Sequence, residues 1–202
     1  MKLIAVEANI GVGKSTLLPK LADEIGFTPI KEDVDDPMFT KLLKDFTDNP
    51  HDTEKRLTFQ KYITETRAKL LNNIPEGNYL IERSLFSDLI FSQVNMLGME
   101  RPDGKYLSYY YDIIDALKDY PQVDAIVYLQ ADPKVSYERL LRRGRNAEAG
   151  TPFEYILDLH NYHEAALPQI CRTYNTPLIR IDWNNFGSAR DIADRLKNQD
   201  II

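Results

Sequence analysis

A single cysteine, Cys171, stands among the 202 residues. One thiol builds neither an internal disulfide nor a multi-cysteine zinc centre, so the chain reads as one made for a reducing, cytoplasmic setting. Basic residues are in the minority, with 25 Lys and Arg against 31 Asp and Glu and a formal charge of −6. That balance argues against nucleic-acid binding as the main task and confines phosphate recognition to local basic clusters. No apolar run approaches the ~20 residues of a membrane-spanning helix. The opening MKLIAVEANIG lacks the basic, apolar and cleavage regions of a secretory leader, so neither export nor membrane insertion is expected. Internal repeats and low-complexity tracts are missing too.

What is present is a 43% apolar content, enough for one substantial core and one domain over 1–202. Four short runs rich in Val, Ile and Leu predict strands: KLIAVEA at 2–8, NYLIERS at 78–84, VDAIVYLQ at 123–130 and TPLIRID at 176–182. Several are nearly continuous rather than alternating, which suits a sheet covered on both faces. FTPIKE at 27–32 is the weaker candidate for a fifth. Between the strands the spacing turns helical. Leu17, Leu18, Leu21 and Ile25 share a side, with Gly26 as a stop. Leu57, Ile63, Leu70 and Leu71 mark another helix with Asp52 or Thr53 as its cap. Helices are also expected over 85–98, 106–118, 133–142 and 153–171, with turns at NPHD (49–52) and RPDGK (101–105). The alternation predicts an α/β domain of parallel strands and right-handed crossovers, with the strand C-termini along one functional edge.

The first of those edges carries EANIGVGKST, residues 7 to 16. It follows a strand and enters a helix, the context in which a phosphate-binding loop has physical meaning. The loop set is Asn9, Ile10, Gly11, Val12, Gly13, Lys14, Ser15 and Thr16. Gly11 and Gly13 permit a tight backbone whose amides cradle phosphates at a helix N-terminus, Lys14 reaches the terminal phosphates, and Ser15 ligates Mg²⁺. Ala8 stands where such loops usually begin with glycine. The loop therefore predicts a nucleoside triphosphate donor rather than a merely structural turn, and the missing N-K-x-D signature weakens a GTPase reading.

Other charged groups are candidates for the same edge. Glu32, in PIKEDVDD, is placed to accept a proton from an attacking hydroxyl, although an acidic run is ordinarily solvated surface. LIERS brings Glu82, a candidate for organising Mg²⁺, and Arg83, a candidate for fixing phosphate; a strand-end salt bridge is the plainer alternative. ERLLRRGRNAE at 138–148 concentrates Arg139, Arg142, Arg143 and Arg145 in an otherwise acidic chain, as a segment that closes over phosphates would. Gln60, Thr64 and Arg67 share one helix face and, with Asp88, either read a base edge or face solvent.

Taken together, EANIGVGKST, FQKYITETR, LIERSLFSD, IVYLQADP and the stretch from RRGRNAE to LHNYHE resemble the deoxynucleoside kinase family along nearly the whole chain. The resemblance implies a P-loop three-layer α/β/α domain with a five-stranded parallel sheet, usually in a homodimer. It implies Mg²⁺- and ATP-dependent transfer to the 5′-hydroxyl of a deoxyribonucleoside, under a mobile arginine-rich lid around 139–150. On that resemblance Glu32 deprotonates the 5′-hydroxyl, Gln60 pairs with the nucleobase with Phe59 before it, and Glu82 and Arg83 organise Mg²⁺ and the reacting groups. Arg139, Arg143 and Arg145 match phosphate-facing lid positions, and Glu148 the position that holds the sugar 3′-hydroxyl. Arg67 and Asp88 match a charged pair in relatives that handle deoxycytidine or purine deoxynucleosides rather than thymidine; a purine is favoured here.

There are two departures. Ala8 replaces the first loop glycine, and the family tyrosine at the 3′-hydroxyl gives way to Phe46 or Thr47 in KDFTDNPHD. Elsewhere blander readings hold. His160 and Glu164 share a helix face with no third ligand, so they and His163 read as structural or surface residues. Cys171 reads as an isolated helix residue, and Tyr109, Tyr110 and Tyr111 as packing. Two rival functions remain, a nucleoside monophosphate kinase and a non-enzymatic nucleotide-dependent switch.

Overall fold

The computed structural model describes residues 1–72, 74–97 and 104–202. Five strands, β1 (Lys2–Ala8), β2 (Thr28–Ile30), β3 (Asn78–Glu82), β4 (Ala125–Gln130) and β5 (Leu178–Asp182), form one parallel sheet in the order β2-β3-β1-β4-β5. Ala5 lies between Ile81 of β3 and Ile126 of β4, which makes β1 the centre of the sheet. Helices α1 (Lys14–Ile25), α2 (Pro37–Asp48), α3 (Thr53–Leu70), α4 (Leu85–Leu97), α5 (Gly104–Asp119), α6 (Pro133–Arg143), α7 (Phe153–Thr173) and α8 (Ala189–Asn198) surround it. A single 3₁₀ turn, Asn146–Glu148, follows α6. Among the described residues no helix is long and apolar enough to cross a membrane.

The unbroken apolar strands are explained by the two cores they separate. Ile4, Val6, Ala8, Val127 and Leu129 pack under α1 and α8 against Leu17, Leu18, Leu21, Ile192 and Leu196. Their neighbours Leu3, Ala5, Ile126 and Tyr128 face the other way, onto Leu57, Leu85, Ile90, Tyr106, Ile113 and Leu167. Each successive side chain thus leaves water on one face or the other, worth ~25 cal/mol per Å² of apolar surface. The result is the α/β/α architecture expected from the sequence.

Two helices were not anticipated. Asp36 caps α2, its side chain accepting from Met38 N–H at 2.9 Å with Pro37 in the first turn, so part of the acidic run is a helix start. Ser188 caps α8 by accepting from Arg190 N–H at 3.1 Å, and Ile192, Ala193 and Leu196 bury its inner face. The NPHD turn is present, closed by Asp52 N–H to Asn49 O at 3.0 Å, and Asp52 rather than Thr53 caps α3. In RPDGK, residues 101–103 lie outside the described residues, while Gly104 and Lys105 begin α5 rather than a turn.

Candidate active site

Parallel strands place all their C-termini on one edge, and the groups of interest gather there around a cleft of about 260 Å³. One end, the donor end of the function proposed below, is the loop between β1 and α1. Gly11 has φ 82° and Gly13 φ 102°, conformations that side chains resist. A Cβ on Gly11 would lie 2.3 Å from Ser136 O, so this glycine also allows α6 to press against the loop. Asn9 fastens the turn: its amide donates to Ile156 O of α7 at 2.8 Å, and its Oδ1 accepts from Ile10 N–H at 2.7 Å. Val12 is fully buried in the core. Neither Asn9 nor Val12 lines the cleft, whereas Ile10, Gly11, Gly13, Lys14, Ser15 and Thr16 do.

Lys14 is 7% exposed, and its Nζ donates to Asn9 O at 3.3 Å. Burial and then the nearby Arg83 cation depress its ammonium to about 7, against the weaker pull of Glu82, Glu32 and Glu7. Ser15 Oγ donates to Glu82 Oε1 at 2.8 Å, joining the end of β3 to the loop. The next residue, Arg83, has φ 65°, uncommon for a residue with a side chain. Its guanidinium donates to Ser87 Oγ at 3.1 Å and lies 4.8 Å from the Phe91 ring centre.

Glu7 braces that turn, and nothing in the motifs assigns it a role. Fully buried on β1, it accepts from Ser84 N–H at 2.7 Å, from Ser84 Oγ at 2.9 Å and from Ser87 Oγ, and stands 3.9 Å from Arg83 Nη1. The signal was available: a carboxylate inside KLIAVEA has to find donors when the strand is buried on both faces.

The other end, the acceptor end of the function proposed below, is built by long-range pairs. Arg67, in the last turn of α3, donates from Nη1 to Asp88 in the first turn of α4 and from Nη2 to Glu32 in the loop after β2. The three side chains are 6%, 2% and 19% exposed, so one guanidinium bridges two carboxylates in a shielded place. Burial would raise the Glu32 carboxyl, but Arg67, Arg83 and Lys14 together outweigh it and hold it below its ordinary range. Burial pushes the deeper Asp88 carboxyl upward, and Arg67 offsets that only in part. Gln60 projects from the same face of α3, with a buried Oε1 that finds no hydrogen-bond partner. Beside it Thr64 shares a 2.5 Å hydrogen bond with the Tyr109 hydroxyl, so this residue looks inward.

Aromatic rings wall the cleft between these ends. Phe59 stacks on Phe46 with centroids 5.5 Å apart and meets Phe39 edge-on at 5.8 Å; Tyr155 meets Phe46 at 6.0 Å. Phe46 and Thr47 both line the cleft, and Thr47 Oγ1 donates to Ala147 O at 2.9 Å, tying α2 to the 3₁₀ turn. In that turn Glu148 accepts from Arg143 Nη2 at 2.6 and 2.7 Å, with Arg145 at 3.7 Å. Arg139 differs from its neighbours. It donates to Trp183 O at 2.9 Å and Asn184 O at 2.7 Å, lies 4.1 Å from the Phe186 ring centre, and does not line the cleft.

The bland readings also find places. His163 is buried, its Nδ1 pairing with Leu159 O at 2.6 Å, and burial and the Arg83 cation push its imidazole down to about 3. Glu164 accepts from the Tyr128 hydroxyl and from Arg180, both at 2.8 Å. Cys171 is buried in the core, and among the described residues no group of three His, Cys, Asp or Glu is placed to hold a metal.

A glycine-lysine-serine loop and a ring-walled pocket on one cleft, with the Glu32 carboxylate in its lining, point to a nucleotide-binding phosphotransferase. Residues 4–200 match the deoxynucleoside kinase family. The chain is 28% identical over 200 residues to a deoxyguanosine kinase of Dictyostelium discoideum, covering 98% of this chain and 69% of that one. It is 30% identical over 170 residues to a deoxyadenosine/deoxycytidine kinase of Bacillus subtilis, covering 80% and 75%. The structure of a deoxyadenosine kinase from M. mycoides with bound dCTP superposes with a TM-score of 0.77 at 25% identity, covering 98% and 99% of the two chains. The chain belongs to the deoxynucleoside kinase family, and it is an enzyme that phosphorylates deoxynucleosides.

Proposed function

We propose that the enzyme transfers the γ-phosphoryl group of ATP to the 5′-hydroxyl of a deoxyribonucleoside, favouring purine deoxynucleosides, accepting deoxycytidine and using thymidine poorly. The observation that carries this reading is the Glu32–Arg67–Asp88 group, its Arg67 and Asp88 buried, facing the same cleft as Lys14. In this account residues 1–202 form one kinase domain with an arginine-rich lid around 139–150. It works as a cytoplasmic homodimer without nucleic-acid or membrane partners.

Glu32 orients the 5′-hydroxyl and accepts its proton as that oxygen attacks phosphorus. A depressed carboxyl stays ionised at neutral pH, so the acceptor is available without prior titration. Lys14, Arg83, Arg143 and Arg145 offset charge on the transferring group, while Arg139 borders the donor site from the far side of the loop. Ser15 and Glu82 would hold Mg²⁺, and a hydroxyl with one carboxylate suits a hard cation that also takes phosphate oxygens. When bound, that ion neutralises phosphate charge. Phe59 and its stacked partner Phe46 flank the base, Gln60 turns its unsatisfied amide to the base edge, and Arg67 with Asp88 reads the remaining positions. Glu148 receives the sugar 3′-hydroxyl.

A nucleoside monophosphate kinase fits less well. Its acceptor phosphate needs unmatched cations at the acceptor end, and Arg67 is already shared between two carboxylates. Turnover of deoxyadenosine, deoxyguanosine, deoxycytidine, thymidine, their ribose counterparts and their monophosphates, with Mg²⁺ and ATP, tests the reading. Purine deoxynucleosides should lead and thymidine should trail. Efficient thymidine use with little else, or monophosphates outpacing nucleosides, would overturn it. Glu32→Gln should lower kcat on the order of 10²–10⁴-fold while leaving ATP binding near the parent value.

A further inference from the structure

Glu32 sits on an irregular stretch between Ile30, where β2 ends, and Pro37, where α2 begins. A base carried by a loop is positioned only as well as its side chain is tethered, because freezing free rotamers costs conformational entropy. One tether is on hand. Arg67 Nη2 occupies Oε1 of Glu32 while Nη1 is anchored on Oδ2 of Asp88, and α3 and α4 fix the two ends of that bridge. A guanidinium is planar, so its two nitrogens hold the carboxylates along set directions that an ammonium would not impose.

We propose that Arg67 is a positioning residue for the catalytic base: it binds one oxygen of Glu32 so that the second faces the reacting hydroxyl, and it thereby links the base-reading end of the acceptor pocket to its reacting end. The inference rests on Glu32 being the base. Its consequence is that altering the specificity pair slows chemistry as well as changing affinity. The charges facing Glu32 come from four elements: Arg67 on α3, Asp88 behind it on α4, Arg83 after β3 and Lys14 on α1. Asp33, Asp35 and Asp36 lie on its own segment, and Asp36 is engaged by the Tyr62 hydroxyl.

The test uses the full chain, with deoxyadenosine and deoxycytidine as acceptors, and follows kcat and kcat/KM against pH. Arg67→Lys retains the charge and loses the fork; it should lower kcat roughly tenfold or more for both acceptors, with the acid limb in place. Replacing Arg67 with Met and Asp88 with Ala together removes the buried charges as a pair and so protects the fold, which thermal unfolding checks. In that variant kcat should fall by a similar factor and the acid limb of kcat/KM should rise by about one pH unit or more. If both variants keep the parental kcat and acid limb and change only KM, Arg67 reads the base and nothing else, and the proposal fails. A fully active Glu32→Gln removes the base assignment and this inference together; an inactive Glu32→Gln beside an unmoved kcat removes this inference alone.

Discussion

The two ends of the cleft balance charge differently. At the acceptor end each carboxylate meets a cation: Glu32 and Asp88 share Arg67, and Glu148 holds Arg143. At the donor end Lys14 is buried with its nearest hydrogen bond to a carbonyl, and Arg83 is 3.9 Å from Glu7. Cations already engaged by carboxylates suit a neutral guest, whose binding leaves those contacts intact. Cations that have carboxylates nearby but touch none closely keep their donors free for an anion. A nucleoside is neutral and a triphosphate is not, so the division of charge along the cleft anticipates the division of labour.

Lys14→Met gives the sharpest break in that comparison. Turnover should drop on the order of 10³-fold, since a buried cation aimed at developing phosphate charge is lost. The same substitution should raise the melting temperature, because a charge that burial disfavours is replaced by an apolar side chain of similar length. The sign in pH follows. The Lys14 ammonium lies at about 7 in the folded enzyme against 10.5 for an ordinary lysine, so unfolding takes up a proton between those values. Stability from this group therefore rises with pH across that window, and the rise should vanish in the Met variant. Donor affinity should move oppositely, falling up to about tenfold per pH unit above 7, with proton uptake on binding visible by calorimetry in buffers of different ionisation enthalpy. An affinity flat from pH 6 to 9 would break the comparison.

Glu7→Gln tests whether the donor end depends on the strand beneath it. An amide keeps the size but replaces one acceptor with a donor facing Ser87 and Arg83. The loss should be about 2 kcal/mol of stability by denaturant unfolding. Turnover should fall about tenfold as the Arg83 turn at φ 65° loosens, an effect smaller than at Lys14. Unchanged turnover in a destabilised variant would show Glu7 to be a fold residue alone.

What could be read in the sequence follows the same divide. The donor loop is contiguous, and its glycines, lysine and serine carry their geometry locally. The long strands were legible because burial on both faces writes an unbroken apolar run. Glu32 and Asp88 were ambiguous because their meaning lies in a shared partner 35 and 21 residues away. Arg139 and Arg143 looked equivalent four residues apart on α6, yet one turns to the carbonyls after β5 and the other to Glu148. Helix periodicity gives a face, and the neighbours decide what the face meets. Helix α2 was hidden behind an acidic run whose last residue, Asp36, caps it with Pro37 directly following.

The smallest expected effect concerns Ala8, the residue that departs from the usual loop. Ala8 is the last residue of β1, fully buried, paired with Leu129, and absent from the residues with positive φ. Its backbone is ordinary strand, so nothing at this position calls for the freedom of glycine; the unusual conformations fall later, at Gly11 and Gly13. Its methyl belongs to the core under α1. Ala8→Gly should therefore remove a buried methyl and loosen the unfolded chain, at a cost of about 1–2 kcal/mol in denaturant unfolding. Turnover and donor affinity should stay within about twofold, because the amides proposed to meet phosphate are set by the later glycines. A marked gain in donor affinity would mean that the alanine restrains the loop and that the donor end is less locally determined than its contiguous motif suggests.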